Sequence, residues 1–417
     1  MTELNHSEII KLEPTGLIDR FAKVQLQKKL NSLPRGCLCI DDDGDIATYG
    51  SKVRQPDVQA TMIIHQQSAY RDIVFGGSTG AAEAYMLGKW TSPNLVDLVR
   101  LMAVNIDFLN ELDDSRLLLQ RITDRCYHWF KRNSKNQARL NIAAHYDLSN
   151  EFFQLFLDPQ MMYSSAIFEQ DSNDLDAASI HKLNVVCEKL ELNSDDHLLE
   201  IGSGWGGLAI HAARRYGCRV TTTTISKEQY DETCQRVANA GLDARITVLF
   251  EDYRNLQGSF DKLVSIEMIE AVGQKFYKEY FNGCSLLLKP DGLMLLQAIT
   301  IPSQRYHYAQ KSVDFIQRYI FPGGSLPSHE IMLSSLRKHS DLEMVAMREI
   351  GDDYARTIGI WHKRFNANLQ QVRALGFDEC FIRMWNYYLC YCQGAFSERA
   401  IGTTQMLLAK PQWRSKL

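Results

Sequence analysis

The sequence lacks several features that would place it in a common class at once. Its 417 residues include ten cysteines but no C-x-x-C and no regular disulfide framework, which points to reduced thiols in the cytosol. Cys37-x-Cys39 and Cys390-x-Cys392 have strand-like or helix-interior spacing and no His or Cys cluster beside them. They read as small core residues, and no metal site is expected. No apolar run is long enough to span a bilayer: the best, Leu286 to Ile301, is broken by Lys289-Pro290-Asp291-Gly292. The stretch from Met1 to Pro14 is polar and acidic, unlike a secretory signal. With 46 basic against 50 acidic side chains there is no general attraction to nucleic acid. An Asp/Asn-Pro-Pro-Tyr motif, a basic stripe and a separate recognition module are also missing, so no nucleic-acid partner is expected.

What is present is Leu198-Leu199-Glu200-Ile201-Gly202-Ser203-Gly204-Trp205-Gly206-Gly207, an apolar strand running through an acidic residue into a glycine-rich turn. A helix follows over Leu208 to Arg215. Glycine lets the main chain turn sharply and approach a ligand where a Cβ would clash. The absence of G-x-x-x-x-G-K-[ST] argues against a nucleoside triphosphate loop. The next strand, Cys218 to Thr224, is rich in β-branched residues. A dinucleotide site usually ends that strand with Asp or Glu to hold a ribose. Here it ends Thr224-Ile225-Ser226, with Gln229 one turn into the following helix, which suits S-adenosylmethionine better than NAD.

The chain divides near residue 130. Residues 17 to 33 form a basic amphipathic helix, with Leu17, Ile18, Phe21, Val24 and Leu30 against Arg20, Lys23, Lys28 and Lys29. Such a helix suits an anionic membrane surface, and equally a seat on its own domain. Short strands and turns follow from 36 to 75, and the acidic turn Asp41 to Asp45 reads as a hairpin rather than a calcium loop, which would need further ligands. Helices are expected from Gly80 to Leu87 and from Pro93 to Leu112. Lys131 to Gln137 reads as a linker or helix end. From Ser194 strands and helices alternate, with strands at 197–201, 218–224, 245–250, 261–266 and 291–299, as in a parallel sheet wound with helices. The fold class is thus α/β, a Rossmann-like domain (131–417) after a smaller α+β domain (1–130). The segment 300–330, with Tyr306, Tyr308, Phe315, Tyr319 and Phe321, breaks the rhythm and reads as an insertion covering the ligand crevice.

Several ordered segments agree on more. His145-Tyr146-Asp147-Leu148-Ser149-Asn150-Glu151-Phe152-Phe153 and Met162-Tyr163-Ser164-Ser165-Ala166 precede the glycine turn, and Thr224 to Gln229 follows it. Then come Ser265-Ile266-Glu267-Met268-Ile269-Glu270-Ala271-Val272-Gly273, Tyr319-Ile320-Phe321-Pro322-Gly323-Gly324-Ser325-Leu326-Pro327-Ser328 and Cys392-Gln393-Gly394-Ala395-Phe396. With Ser78 to Met86 added, nearly the whole chain resembles the cyclopropane-fatty-acyl-phospholipid synthases and the related mycolic acid methyltransferases. The resemblance implies methyl transfer from S-adenosylmethionine to a cis double bond of a phospholipid acyl chain. That chemistry wants close in-line geometry and a water-poor pocket, where aromatic faces stabilise a carbocation. Phe152, Phe153, Tyr306, Tyr308, Phe315, Tyr319, Phe321 and Tyr354 are candidates, many of them simply core.

By the same resemblance Gly202, Gly204 and Gly206 shape the cofactor turn, with Glu200 as a supporting carboxylate. Tyr163 and Ser164 contact the methionine end, Thr224, Ile225 and Gln229 line the ribose side, and Tyr253 lies near the adenine. His145 is expected to orient the Tyr163 loop and Cys392 to pack. The synthases bind bicarbonate, which takes a proton from the new methyl group. Here Glu270, Ile299 and Tyr354 match that set, whereas Ser165 replaces a Cys, Gln297 a His, and Ala271 the His after the motif Glu. Ser and Gln still offer donors, so bicarbonate stays open. So does a second product, a methyl-branched or methylene chain, with Glu270 or Tyr354 as the base. A small-molecule methyltransferase and a catalytically silent lipid-binding protein are further alternatives. The implied partners are the bilayer surface, unsaturated acyl chains and a second copy of the chain, and the implied location is cytoplasmic, on the inner face of the membrane.

Overall fold

The computed structural model describes residues 16–50, 58–109, 148–170 and 172–415. Met1 to Pro14, the proposed linker Lys131 to Gln137 and His145 to Asp147 lie outside the described residues. The chain separates into two compact units, Met1–Leu117 with Asp378–Tyr387 and Leu118–Phe377 with Tyr388–Leu417. A purely linear division near 130 leaves no place for the return of residues 378–387 to the first unit. The helix Glu379–Ser397 gives its first half to that unit, where Tyr387 packs 5.5 Å from Tyr85.

The first unit holds a four-stranded sheet in the order β2-β1-β3-β4, with β1 Cys37–Asp42, β2 Asp45–Gly50, β3 Gln59–Ile64 and β4 Trp90–Thr91. Burial alternates along β1, as a strand with one covered face requires. Asp43 and Gly44, at φ 57° and 88°, form the tight turn between β1 and β2, so the acidic stretch is a hairpin. Buried Asp42 accepts hydrogen bonds from Lys23 Nζ at 2.6 Å, Gln67 Nε2 at 2.5 Å and Tyr70 Oη at 3.0 Å. The helix Leu17–Leu30 buries Asp19, Ala22 and Leu30 and leaves Leu17, Ile18, Phe21 and Val24 exposed. Helices Ser68–Met86 and Leu95–Val104 complete the unit, the first beginning earlier than the sequence pattern suggests.

The second unit is built on a seven-stranded sheet in the order β10-β11-β9-β8-β5-β6-β7. Its strands are β5 His197–Ile201, β6 Arg219–Thr224, β7 Ile246–Phe250, β8 Phe260–Ile266, β9 Leu288–Thr300, β10 Glu343–Glu349 and β11 Gly402–Ala409. From β9 through β8, β5 and β6 to β7 neighbours run parallel, each at the expected position within three residues, while β11 and β10 add antiparallel pairs that the sequence pattern does not announce. Both faces are covered. Leu199, Leu263, Met294 and Leu296 join Tyr280, Phe281 and Met332 on one side, and Leu198, Val264 and Leu295 join Leu183, Leu208 and Ala209 on the other. Alternate residues of one strand therefore enter opposite cores, which explains the continuous apolar runs. Strand order reverses between β5 and β8, and α/β sheets open a ligand crevice at that point, beyond the carboxyl ends of the strands.

Segment 300–330 contains a helix at Ser303–Ala309 and a wide helical turn at Ile316–Ile320. It returns to the sheet through Ile301 N–H to Pro327 O at 2.9 Å and Ser325 N–H to Glu270 O at 2.9 Å. Tyr306 and Phe315 are buried within it.

Candidate active site

A cleft of about 1070 Å³, partly open to solvent, lies at the carboxyl ends of β5, β6, β7 and β8. On the β5 side its floor is main chain. Gly202 N–H and Ser203 N–H both donate to Thr223 O, at 3.0 and 2.9 Å, which folds the chain over at the end of β5. Gly202 has φ 95°, and a Cβ there would stand 2.6 Å from Met268 Cγ and Sδ. Gly204 has φ 50°, and a Cβ there would meet nothing within 4 Å, so the turn leaves room toward the cleft. Gly206 caps the helix Gly207–Tyr216 behind the turn and does not line the cleft.

The other residues expected to hold the cofactor all line it: Tyr163, Ser164, Glu200, Gly202, Gly204, Thr224, Ile225, Gln229 and Tyr253. Thr224 Oγ1 donates to Gln229 Oε1 at 2.8 Å, so these two present one joined polar edge. Glu200 accepts from Thr222 Oγ1 at 2.6 Å, and burial pushes its carboxyl up to about 8 against that bond and the charge of Lys182. Tyr163 Oη shares a 2.8 Å hydrogen bond with Tyr388 Oη, and its ring sits 5.2 Å from Phe153 and 5.4 Å from Trp361. Phe152 and Phe153 are wholly buried in this aromatic cluster behind the wall, as core rather than cleft surface.

The opposite wall is different. Of the residues expected to handle the proton, Ser165, Gln297, Ile299, Glu270 and Tyr354, none lines the cleft. Three of them converge instead on Glu267, which does. Glu267 Oε1 accepts from Ser165 N–H at 3.0 Å and from Gln297 Nε2 at 2.8 Å, and Oε2 accepts from Tyr354 Oη at 2.7 Å. The Ser165 hydroxyl is turned away, donating to Ala166 O at 2.9 Å. Tyr354 is held by Phe396, stacked at 4.5 Å. Burial raises the Glu267 carboxyl above the ordinary range, opposed by these three donors and by the charge of Lys182. Glu270 lies one turn further on, takes a hydrogen bond from Ile299 N–H on Oε1, and has no partner on Oε2 among the described residues. Burial and the neighbouring Glu267 charge push its carboxyl up to about 8.

Sequence reasoning passes over Glu267 and Lys182. Lys182 is fully buried on the helix Leu175–Lys189 and donates to Ser164 Oγ at 2.9 Å, and burial lowers its ammonium to about 8 against the charges of Glu267, Asp158 and Glu200. No local pattern marks a buried lysine. The signal available for Glu267 was its place beside Glu270, a pair of carboxylates whose surroundings separate their proton affinities, as acid and base pairs require.

A family model described as mycolic acid cyclopropane synthetase matches residues 133–406, more than half of the chain. The chain belongs to the mycolic acid cyclopropane synthetase family. Among its relatives in this family, a tuberculostearic acid methyltransferase of Mycobacterium tuberculosis is 37% identical over 372 residues, covering 87% of this chain and 86% of the relative. A cyclopropane-fatty-acyl-phospholipid synthase of Escherichia coli is 37% identical over 347 residues, covering 82% and 85%. Among solved structures, a mycolic acid cyclopropane synthase complexed with SAH and CTAB superposes with a TM-score of 0.61 at 32% identity, covering 65% of this chain and 98% of that one. Membership supports the methyltransferase type of α/β fold for the second unit.

Proposed function

We propose that this protein transfers the methyl group of S-adenosylmethionine to the cis double bond of an unsaturated phospholipid acyl chain. The observation that carries this reading is one cleft bounded by a glycine turn on one side and a buried, donor-held carboxylate on the other. The cleft fits the cofactor: the space beside Gly204 is open, the Thr224–Gln229 edge is polar, and Tyr253 and Arg254 close the far end. When bound, S-adenosylmethionine supplies an electrophilic methyl group. Tyr163 and Ser164 then hold the methionine end, with Lys182 fixing the Ser164 hydroxyl. Ser165, Gln297 and Tyr354 stand behind the cleft wall and act on the proton released after methylation through Glu267, with Glu270 and Ile299 paired beside them. Segment 300–330 contributes no side chain to the cleft itself and meets this wall through Ser325 N–H on Glu270 O. The relatives named above, one a tuberculostearic acid methyltransferase and one a cyclopropane-fatty-acyl-phospholipid synthase, favour an acyl chain as acceptor.

Access to lipid is assigned to the first unit. Leu17 is 85% exposed and Val24 59%, beside Arg20 and Lys28, an apolar stripe with a basic flank of the kind that lies on anionic bilayers. No helix among the described residues is long and apolar enough to cross a membrane. Peripheral attachment to the cytoplasmic face, and a homodimer, belong to the same proposal. The test is purified protein with methyl-labelled S-adenosylmethionine and phospholipid vesicles. Label should enter acyl chains of unsaturated vesicles and not of saturated ones. A protein that binds S-adenosylmethionine yet labels no unsaturated lipid contradicts the reading.

A further inference from the structure

Three of the five residues that the family resemblance gave to a bicarbonate ion donate to Glu267. Ser165 N–H, Gln297 Nε2 and Tyr354 Oη already converge on a carboxylate that belongs to the chain itself. We propose that Glu267 occupies the place of that ion and is the proton acceptor of the reaction, so that turnover needs no bicarbonate. This rests on the acyl-chain methyltransferase reading above.

Two further features support the assignment. The first is the orientation of the Gln297 amide. Lys189 Nζ, which can only donate, donates to Gln405 Oε1 at 2.8 Å. Gln405 Nε2 must then be the donor to Gln297 Oε1, at 2.9 Å, and this leaves Gln297 Nε2 to face Glu267. A lysine thus fixes two amides in series so that the last one presents N–H to the carboxylate, an arrangement that favours its anionic form. The second is the backbone. Glu267 sits at φ 52°, in the left-handed region that side chains other than Asn and Gly rarely adopt. Its N–H donates to Gln297 O at 2.8 Å, extending the β8–β9 pairing by one residue and holding that conformation. Strain retained beside a cleft, on a residue whose side chain lines it, is characteristic of a functional position.

The proton balance is simple. After methylation the acyl chain carries a positive charge on the carbon next to the new bond. Glu267 takes a proton either from the new methyl group, whose released C–H electron pair bonds to the cationic carbon and closes a ring, or from a carbon adjacent to the cation, where the pair forms a double bond. Glu267 is left as the carboxylic acid and returns its proton to water when product leaves. Glu270, kept protonated by burial and by the Glu267 charge, is the neutral neighbour that lets a single negative charge reside on Glu267.

The test uses full-length protein and two readouts. In carbon-dioxide-free buffer with unsaturated vesicles, wild type should turn over at the same rate with and without added bicarbonate. Glu267→Gln should lower kcat by about 10²–10⁴-fold while S-adenosylmethionine affinity, measured by calorimetry, is unchanged. Glu267→Gly relieves the backbone and empties the donor pocket, so added bicarbonate or formate should restore much of its turnover. The second readout needs no lipid: ¹³C-labelled bicarbonate should show line broadening with Glu267→Gly and none with wild type. Bicarbonate binding by wild type, or a wild-type kcat in Glu267→Gln, overturns the proposal. A protein that methylates no lipid while the bicarbonate arm behaves as expected contradicts the acyl-chain reading and upholds the carboxylate.

Discussion

On the β5 side the cleft is bounded by main chain and side chains drawn from two stretches, 200–205 and 223–229. On the β8 side it is bounded by one carboxylate whose three donors come from positions 165, 297 and 354. The first wall is a product of local geometry: a strand end, positive φ, and a helix start. The second exists only once the sheet has brought β8 and β9 together and packed the helix Gly351–Ala367 against β11, and from that helix Tyr354 reaches Glu267. The difference assigns separate tasks. The first wall should govern cofactor affinity and the second should govern the chemical step.

That division can be broken most severely at Gly204. Asn tolerates the left-handed region, so Gly204→Asn should fold, but its side chain would enter the open space beside the turn. Affinity for SAH should fall about 100-fold, roughly 2.7 kcal/mol, by calorimetry, with a near-normal melting temperature. Unchanged affinity would place the cofactor elsewhere. Next in size is Tyr354→Phe, which removes one donor from a charged acceptor. Its kcat should fall roughly tenfold with SAH affinity intact. Because the Tyr354 bond opposes the upward push of burial on Glu267, the rising limb of the pH–rate profile should move to higher pH. A loss of affinity with no pH displacement would put Tyr354 on the wrong wall.

A third prediction concerns stability. The Glu270 carboxyl stays protonated in the folded protein up to about 8, whereas an unfolded glutamate ionises near 4.5. Its contribution is therefore complete below 4.5 and drains away as pH rises toward 8. Glu270→Gln carries no such loss, so its unfolding free energy should gain on wild type across that window, by at most about 1.4 kcal/mol per pH unit, with its melting temperature rising relative to wild type. Parallel melting curves would show that Glu270 ionises normally. The smallest effect is expected away from the cleft. Replacing exposed Leu17 and Phe21 by Ser should reduce pelleting with anionic vesicles by ~3–10-fold and leave the fold and SAH affinity alone.

The contrast between the walls also explains what could be read from sequence. The glycine turn and the parallel strands are contiguous patterns, and the main chain does most of their work. Residues 402–409 carry no such announcement, because Gly402-Thr403-Thr404-Gln405 interrupts the apolar pattern and the strand pairs antiparallel between β9 and β10. Strand β10 is exposed along its length and sets the apolar run Met344 to Met347 between charged residues with no period-two alternation, which conceals a strand that has a partner on one side only. Ser165, Gln297, Ile299, Glu270 and Tyr354 were named through family resemblance, but the convergence of Ser165, Gln297 and Tyr354 on Glu267 was not legible, since it depends on separations of up to 102 residues. Lys182 was invisible for a similar reason, because the hydroxyl it donates to, that of Ser164, lies on a different segment.

Whether the acceptor is an unsaturated acyl chain is decided by mass spectrometry of fatty acids from cells expressing this chain and fed trideuteromethyl-methionine. The account predicts deuterium in acyl chains at the former double bond. Ring closure or a methylene branch would retain two deuterons of the new group, and a methyl branch would retain all three. Deuterium confined to small molecules, or absent from every unsaturated lipid, would contradict it.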